Sequence, residues 1–110
     1  MPRTASATHR LRLLALPLAL ATTTALAADP ALQTRDLAAS CAACHGTEGR
    51  SAGGFPSLAG VDAAVTGAKL RAFRSGEAPA SVMHQHARGY TEAEIDALAQ
   101  YFASRPARAP

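Results

Sequence analysis

The chain has 110 residues, with 11 basic and 8 acidic side chains, two cysteines and no tryptophan. The whole +3 excess is matched by Arg3, Arg10 and Arg12 at the amino terminus, so the remainder is near neutral and lacks the clustered charge of a nucleic-acid-binding protein. A chain of this length holds one small domain, whose own apolar core needs a staple to be stable.

Residues 1–27 read as a secretory signal. Met1 to Arg12 is basic without an acidic residue, Leu13 to Leu20 is apolar, and Ala25-Leu26-Ala27 supplies the small residues of a cleavage site. The apolar run is too short to span a membrane comfortably, so no membrane span is expected after cleavage. Residues 28–110 then form a single exported domain of about 80 residues. Leu32 to Ser40 is expected to be a short helix leading into Cys41-Ala42-Ala43-Cys44-His45.

That pentapeptide is the most informative segment of the chain. Two thiols three positions apart, followed at once by an imidazole, form the arrangement that attaches a c-type haem. Each sulfur can add across one haem vinyl group, and on a helical turn the two sulfurs fall about one turn apart. His45 then projects beneath the ring, where its nitrogen can bind the iron. The other uses of such a cysteine pair fit less well. A thioredoxin-type redox pair needs a βαβ framework, and no alternating strand pattern is present. Half a zinc site needs a second ligand pair at zinc spacing, and His84 and His86 are only two apart. A structural disulfide across so short a loop is strained.

Beyond the motif, Gly46 to Gly60 reads as a loop, because it is rich in glycine and small polar residues and carries Pro56. Asp62 to Ser75 reads as a second helix, with Asp62 as N-cap and Gly76 as stop. Val65, Leu70 and Phe73 mark its inner side, and Gly67 weakens it. Glu77 to Gly89 is expected to be irregular. The last helix is the clearest: Thr91 and Glu94 form a capping box. Ile95, Leu98, Ala99 and Phe102 recur at helical spacing before Arg105-Pro106. Lys69, Arg71 and Arg74 form a basic group and Glu92, Glu94 and Asp96 an acidic one, readable as solvated helix faces or as docking patches.

This order of short helix, Cys-x-x-Cys-His, glycine-rich loop, Pro56-Ser57-Leu58-Ala59-Gly60, helix, methionine loop and final helix resembles class I cytochrome c. The resemblance covers essentially all of residues 28–110. It implies an all-α fold, a small class I cytochrome c fold of about three helices wrapped around one covalent haem c, held through Cys41 and Cys44. It implies that the first and last helices cross, bringing Leu37 against Leu98, Tyr101 or Phe102. It also implies that the Pro56 carbonyl accepts a hydrogen bond from His45, which would orient the imidazole; read from the residues alone, Pro56 is equally a loop stiffener.

The same resemblance places the sulfur of Met83 on the iron opposite His45. His/Met ligation raises the reduction potential relative to nitrogen or oxygen ligands. A buried methionine is otherwise most often core filling, and the neighbouring His84 and His86 are rival donors. Arg50, Arg71 and Arg74 are the candidates for contacting a haem propionate.

Within the class, Phe73-Arg74-Ser75-Gly76-Glu77 and Met83 through Glu92 are similar to the cytochrome subunit of flavocytochrome c sulfide dehydrogenase. The resemblance implies a periplasmic partner, a flavoprotein that oxidises sulfide and hands electrons to the haem. One attachment motif allows one haem. The mechanism expected is outer-sphere electron transfer, with both axial positions filled and electrons passing at the haem edge beside the attachment motif. The alternatives are a free-standing carrier serving another redox protein, an open-site haem enzyme or gas sensor if Met83 does not bind, and a haem-free thiol oxidoreductase.

Overall fold

The computed structural model describes residues 27–107, so the expected leader lies almost wholly outside the described residues. Five α-helices follow one another: α1 (Pro30–Ala39), α2 (Ala42–His45), α3 (Ala63–Ser75), α4 (Met83–Arg88) and α5 (Glu92–Ala103). A single 3-10 turn, Thr47–Gly49, follows α2, and no strand occurs among the described residues. The fold is the small all-α fold expected, with α1, α3 and α5 as its long members.

Each long helix begins where its sequence supplies a side-chain acceptor. Asp29 caps α1 by accepting from the Ala31 N–H at 2.9 Å, with Pro30 fixing the first helical dihedral. Asp62 caps α3 through the Ala64 N–H at 2.7 Å, and Gly76 ends it in the left-handed conformation (φ 82°). At α5 the capping box is complete. The Thr91 hydroxyl accepts from the Glu94 N–H while the Glu94 carboxylate accepts from the Thr91 N–H at 2.8 Å.

The amino- and carboxy-terminal helices pack together as expected. Ala38, Leu98 and Phe102 form the buried cluster, with Leu37, Leu58, Leu70, Tyr90 and Tyr101 packed against it. The side chain of Ile95 is also fully buried. Helix α3 lies against both α4 and α5. Gly67, which lowers intrinsic helix propensity, is buried on α3 facing Ala99. A Cβ there would stand 2.8 Å from an Arg71 guanidinium nitrogen and 3.8 Å from the Ala99 methyl.

Two expectations require correction. Residues 77–89 are not wholly irregular, because Met83–Arg88 forms α4. It has six residues, and Val82 supplies no side-chain cap bond, so the sequence carries no start signal. Tertiary packing makes this helix: Ala87 is completely buried and α4 rests on α3. Val65 does not face inward; it is 47% exposed. Leu70 and Phe73 carry the inner side of α3, and Thr66 and Gly67 are its buried residues.

Two members of the basic group and two of the acidic group prove to be partners. The Arg71 Nε donates to Glu92 at 2.8 Å and its second arm to Asp96 at 2.5 Å, while Arg74 donates to Glu92 and to the Tyr90 carbonyl. These pairs lace α3 to α5. They are well exposed, so each is worth about 1 kcal/mol or less.

Truncation of the buried cluster separates these contributions. Leu98→Ala is expected to cost about 2–5 kcal/mol in equilibrium denaturation of the holoprotein, whereas Glu92→Gln costs about 1 kcal/mol or less and less still in high salt. The amide and hydroxyl of Thr91 hold the Glu94 carboxyl below its ordinary pKa. Its contribution is therefore complete above the unfolded carboxylate pKa and lost as pH falls through the lower folded value. Glu94→Gln should flatten that part of the acid-denaturation curve.

Candidate haem site

The attachment motif sits on the short turn that joins α1 to the glycine-rich loop. Cys41 has helical dihedrals, and its carbonyl accepts from Cys44 N at 3.3 Å and His45 N at 2.9 Å. The two cysteines therefore stand one turn apart, as the double thioether requires. Cys41 is half-buried and Cys44 is exposed. Burial raises the pKa of the Cys41 thiol, partly offset by hydrogen bonds from Ser40 and Tyr90.

Gly46 ends this turn in a conformation that only glycine fits. Its φ is 81°, and a Cβ would fall 1.9 Å from the Arg50 carbonyl oxygen. The chain is thereby turned back so that Pro56 reaches His45. The His45 Nδ1 lies 2.7 Å from the Pro56 carbonyl oxygen. A carbonyl only accepts, so Nδ1 carries the proton, and in the neutral imidazole Nε2 is the nitrogen with the lone pair. His45 is buried, and the edge of Phe55 packs on its ring with centroids 6.2 Å apart.

The loop itself is tied to the core by backbone. The Gly49 carbonyl accepts from Leu58 N at 2.7 Å and Ala59 N at 3.1 Å, and Gly60 N donates to the Phe102 carbonyl at 2.9 Å. Glu48, in the left-handed region at φ 52°, pairs with Arg50 at 2.7 Å and lies 3.7 Å from Arg105.

These elements enclose an apolar cavity of about 410 Å³. Cys41, Cys44, His45 and Pro56 line it together with Leu58, Leu70, Phe73, Leu98 and Phe102. Met83 and His86 also line it, both from α4, whereas His84 does not. All five sequence-predicted site residues thus reach one cavity. Its size and apolar wall suit a large flat cofactor with few polar groups. Two thiols and an imidazole with a free Nε2 are the donor set such a cofactor needs, so the residues fit a haem.

Sequence reasoning missed several contributors. Phe55, Tyr90 and Lys69 line the cavity, a place the sequence reading did not assign to them. Gly46 and Gly49 carried a signal only as part of a glycine-rich stretch. Of the arginines named as propionate candidates, Arg50, Arg71 and Arg74 are all engaged by carboxylates. Lys69 is the basic side chain at the cavity that no ion pair among the described residues engages.

Fold and site together define a small haem protein of the electron-carrying kind, and the family model for cytochrome c matches residues 33–106. The chain belongs to the cytochrome c family, whose members carry electrons on a covalent haem c; Cys41 and Cys44 occupy the attachment positions. Among its relatives is the cytochrome subunit of sulfide dehydrogenase of Chlorobaculum tepidum. The two are 40% identical over 101 residues, covering 82% of this chain and 92% of that one. The thiosulfate dehydrogenase electron acceptor of Stutzerimonas stutzeri is 40% identical over 72 residues, 64% of this chain but 33% of the relative. Cytochrome c-554(547) of Halothiobacillus neapolitanus is 34% identical over 77 residues, 60% of this chain and 85% of that one.

Covalent attachment gives a direct check. The mature protein should retain its haem mass under denaturing mass spectrometry and through acid–acetone extraction. Cys41→Ala/Cys44→Ala should release it, and the helical circular-dichroism signal should fall with it, since the chain's own core is small.

Proposed function

We propose that this chain is an exported, periplasmic monohaem electron carrier whose iron is held by His45 Nε2 and Met83 Sδ. On this reading residues 1–27 are removed on export and residues 28–110 form the haem domain. The observation that carries the ligand assignment is the shared cavity. His45 reaches it with Nδ1 already committed to Pro56, and Met83 reaches it from α4.

When bound, the haem supplies a one-electron ferric–ferrous couple. The residues of the chain set the conditions for that couple. Pro56 orients His45 and, by accepting the hydrogen bond from its Nδ1–H, makes the imidazole a stronger donor. The Met83 thioether is soft and favours the reduced state. Leu58, Leu70, Phe73 and Leu98 exclude water. With His45 and Met83 both holding the iron, no substrate would need to reach it, and a packed scaffold would keep the site similar in both oxidation states. Electrons would cross at the rim of the cavity beside exposed Cys44; Phe55 and Val82, which also line the cavity, are exposed as well.

The partner proposed is a sulfide-oxidising flavoprotein, with this chain as its electron-accepting haem subunit. Support comes from the match to nearly the whole of the Chlorobaculum tepidum cytochrome subunit. A free-standing carrier is the second reading, favoured by the match to 85% of cytochrome c-554(547).

Optical spectra of the exported holoprotein, with and without carbon monoxide, test the ligand set. The expected result is a low-spin c-type spectrum with a sulfur–iron charge-transfer band and no response to carbon monoxide. A high-spin spectrum that shifts with carbon monoxide would replace the carrier with an open-site haem protein. For the partner, the purified chain should be reduced by sulfide only when the flavoprotein is present, and the two should co-purify. A chain that purifies alone and is unaffected by that flavoprotein is the free-standing carrier.

A further inference from the structure

We propose that His86 is a reserve axial ligand, a second donor on α4 that captures the iron when the Met83 sulfur is lost or displaced. The inference rests on the reading of Met83 as the resident ligand. Positions 83 and 86 are three apart on one helix and therefore share a face, and both side chains line the haem cavity. His84 is one position from Met83, faces elsewhere and does not line the cavity.

The His86 ring is also uncommitted. Among the described residues, His45 is the histidine whose ring is hydrogen-bonded within the chain. Lys69 is the other nitrogen-bearing side chain at the cavity, but an ammonium has no lone pair to give a metal.

Exchange needs only a local movement. Side chains at i and i+3 on a helix stand about 5–6 Å apart at Cβ, so the imidazole must advance by about one turn or less. Helix α4 has six residues, and Val82 gives its first turn no side-chain cap bond. Its approach segment is held to α3 by the Ala78 N–H on the Ala72 carbonyl at 3.1 Å. Buried Ala87 anchors α4 beside His86, so the exposed His86 side chain makes the exchange by its own rotation as the turn at Met83 unwinds.

The test compares Met83→Leu, a volume-conserving change that keeps the wall packed, with Met83→Leu/His86→Ala. Met83→Ala provides a second background in case the branched side chain disturbs α4. In Met83→Leu the ferric protein should remain low-spin without the sulfur–iron band, and its potential should fall, because a nitrogen replaces the thioether. Removing His86 should make the iron high-spin. If His86 occupies the iron in nine molecules of ten, its removal tightens carbon monoxide binding about tenfold. His84→Ala in the same background should change neither reading. A Met83→Leu protein that is already high-spin and binds carbon monoxide as tightly as the double variant would overturn the proposal. So would an iron opened by His84→Ala and not by His86→Ala. A native spectrum lacking the sulfur–iron band would sink the Met83 assignment itself, before any variant is made.

Discussion

The structure depends on an apolar cavity that the polypeptide surrounds but does not fill. Among the described residues four of the seven buried hydrophobic side chains are alanines, and the largest that are fully enclosed are Ile95 and Leu98. A domain this small buries too little apolar surface to stand on its own residues. The volume at its centre is instead lined from the attachment turn, the glycine-rich loop, α3, α4 and α5. A covalent haem is therefore a structural element as well as a redox centre. Binding energy and folding energy are one quantity here, as in small metal-stapled domains.

Around that centre the chain divides its work between backbone and side chains. Gly46 and Gly49 allow turns that a Cβ would block, and those turns deliver the Pro56 carbonyl to His45. The ion pairs between α3 and α5 are exposed and contribute little individually, but they absorb charge that could otherwise form separate docking patches. The exposed residues that line the cavity include apolar Phe55 and Val82 as well as Lys69 and His86.

Features with a local chemical cause were legible in the sequence. The haem-attachment spacing, the Asp62 and Thr91 caps, the Gly76 stop and the inner face of α5 each follow from a few neighbouring residues, and the structure contains all of them. Features caused by distant packing were not. Helix α4 has neither cap nor length, and exists because Ala87 is buried against other parts of the chain. Val65 is exposed because the inner side of α3 is carried by Thr66, Gly67, Leu70 and Phe73, a face that apolar residues alone do not mark. The pairing of Arg71 and Arg74 with Glu92 joins residues about twenty apart, which no local pattern encodes. Of the two rival histidines, sequence alone could not say which faces the cavity.

The one-turn separation of Cys41 and Cys44 has a consequence for how such a carrier behaves on dilution. A cofactor held only by packing and axial bonds leaves at a rate and to an extent set by free concentration. Two bonds from one helical turn make its rebinding intramolecular, so its effective concentration is set by the tether and not by the surrounding solution. An axial ligand can therefore let go and return without the molecule losing its cofactor. The carrier can work at any abundance, and its distal ligand is free to be weak.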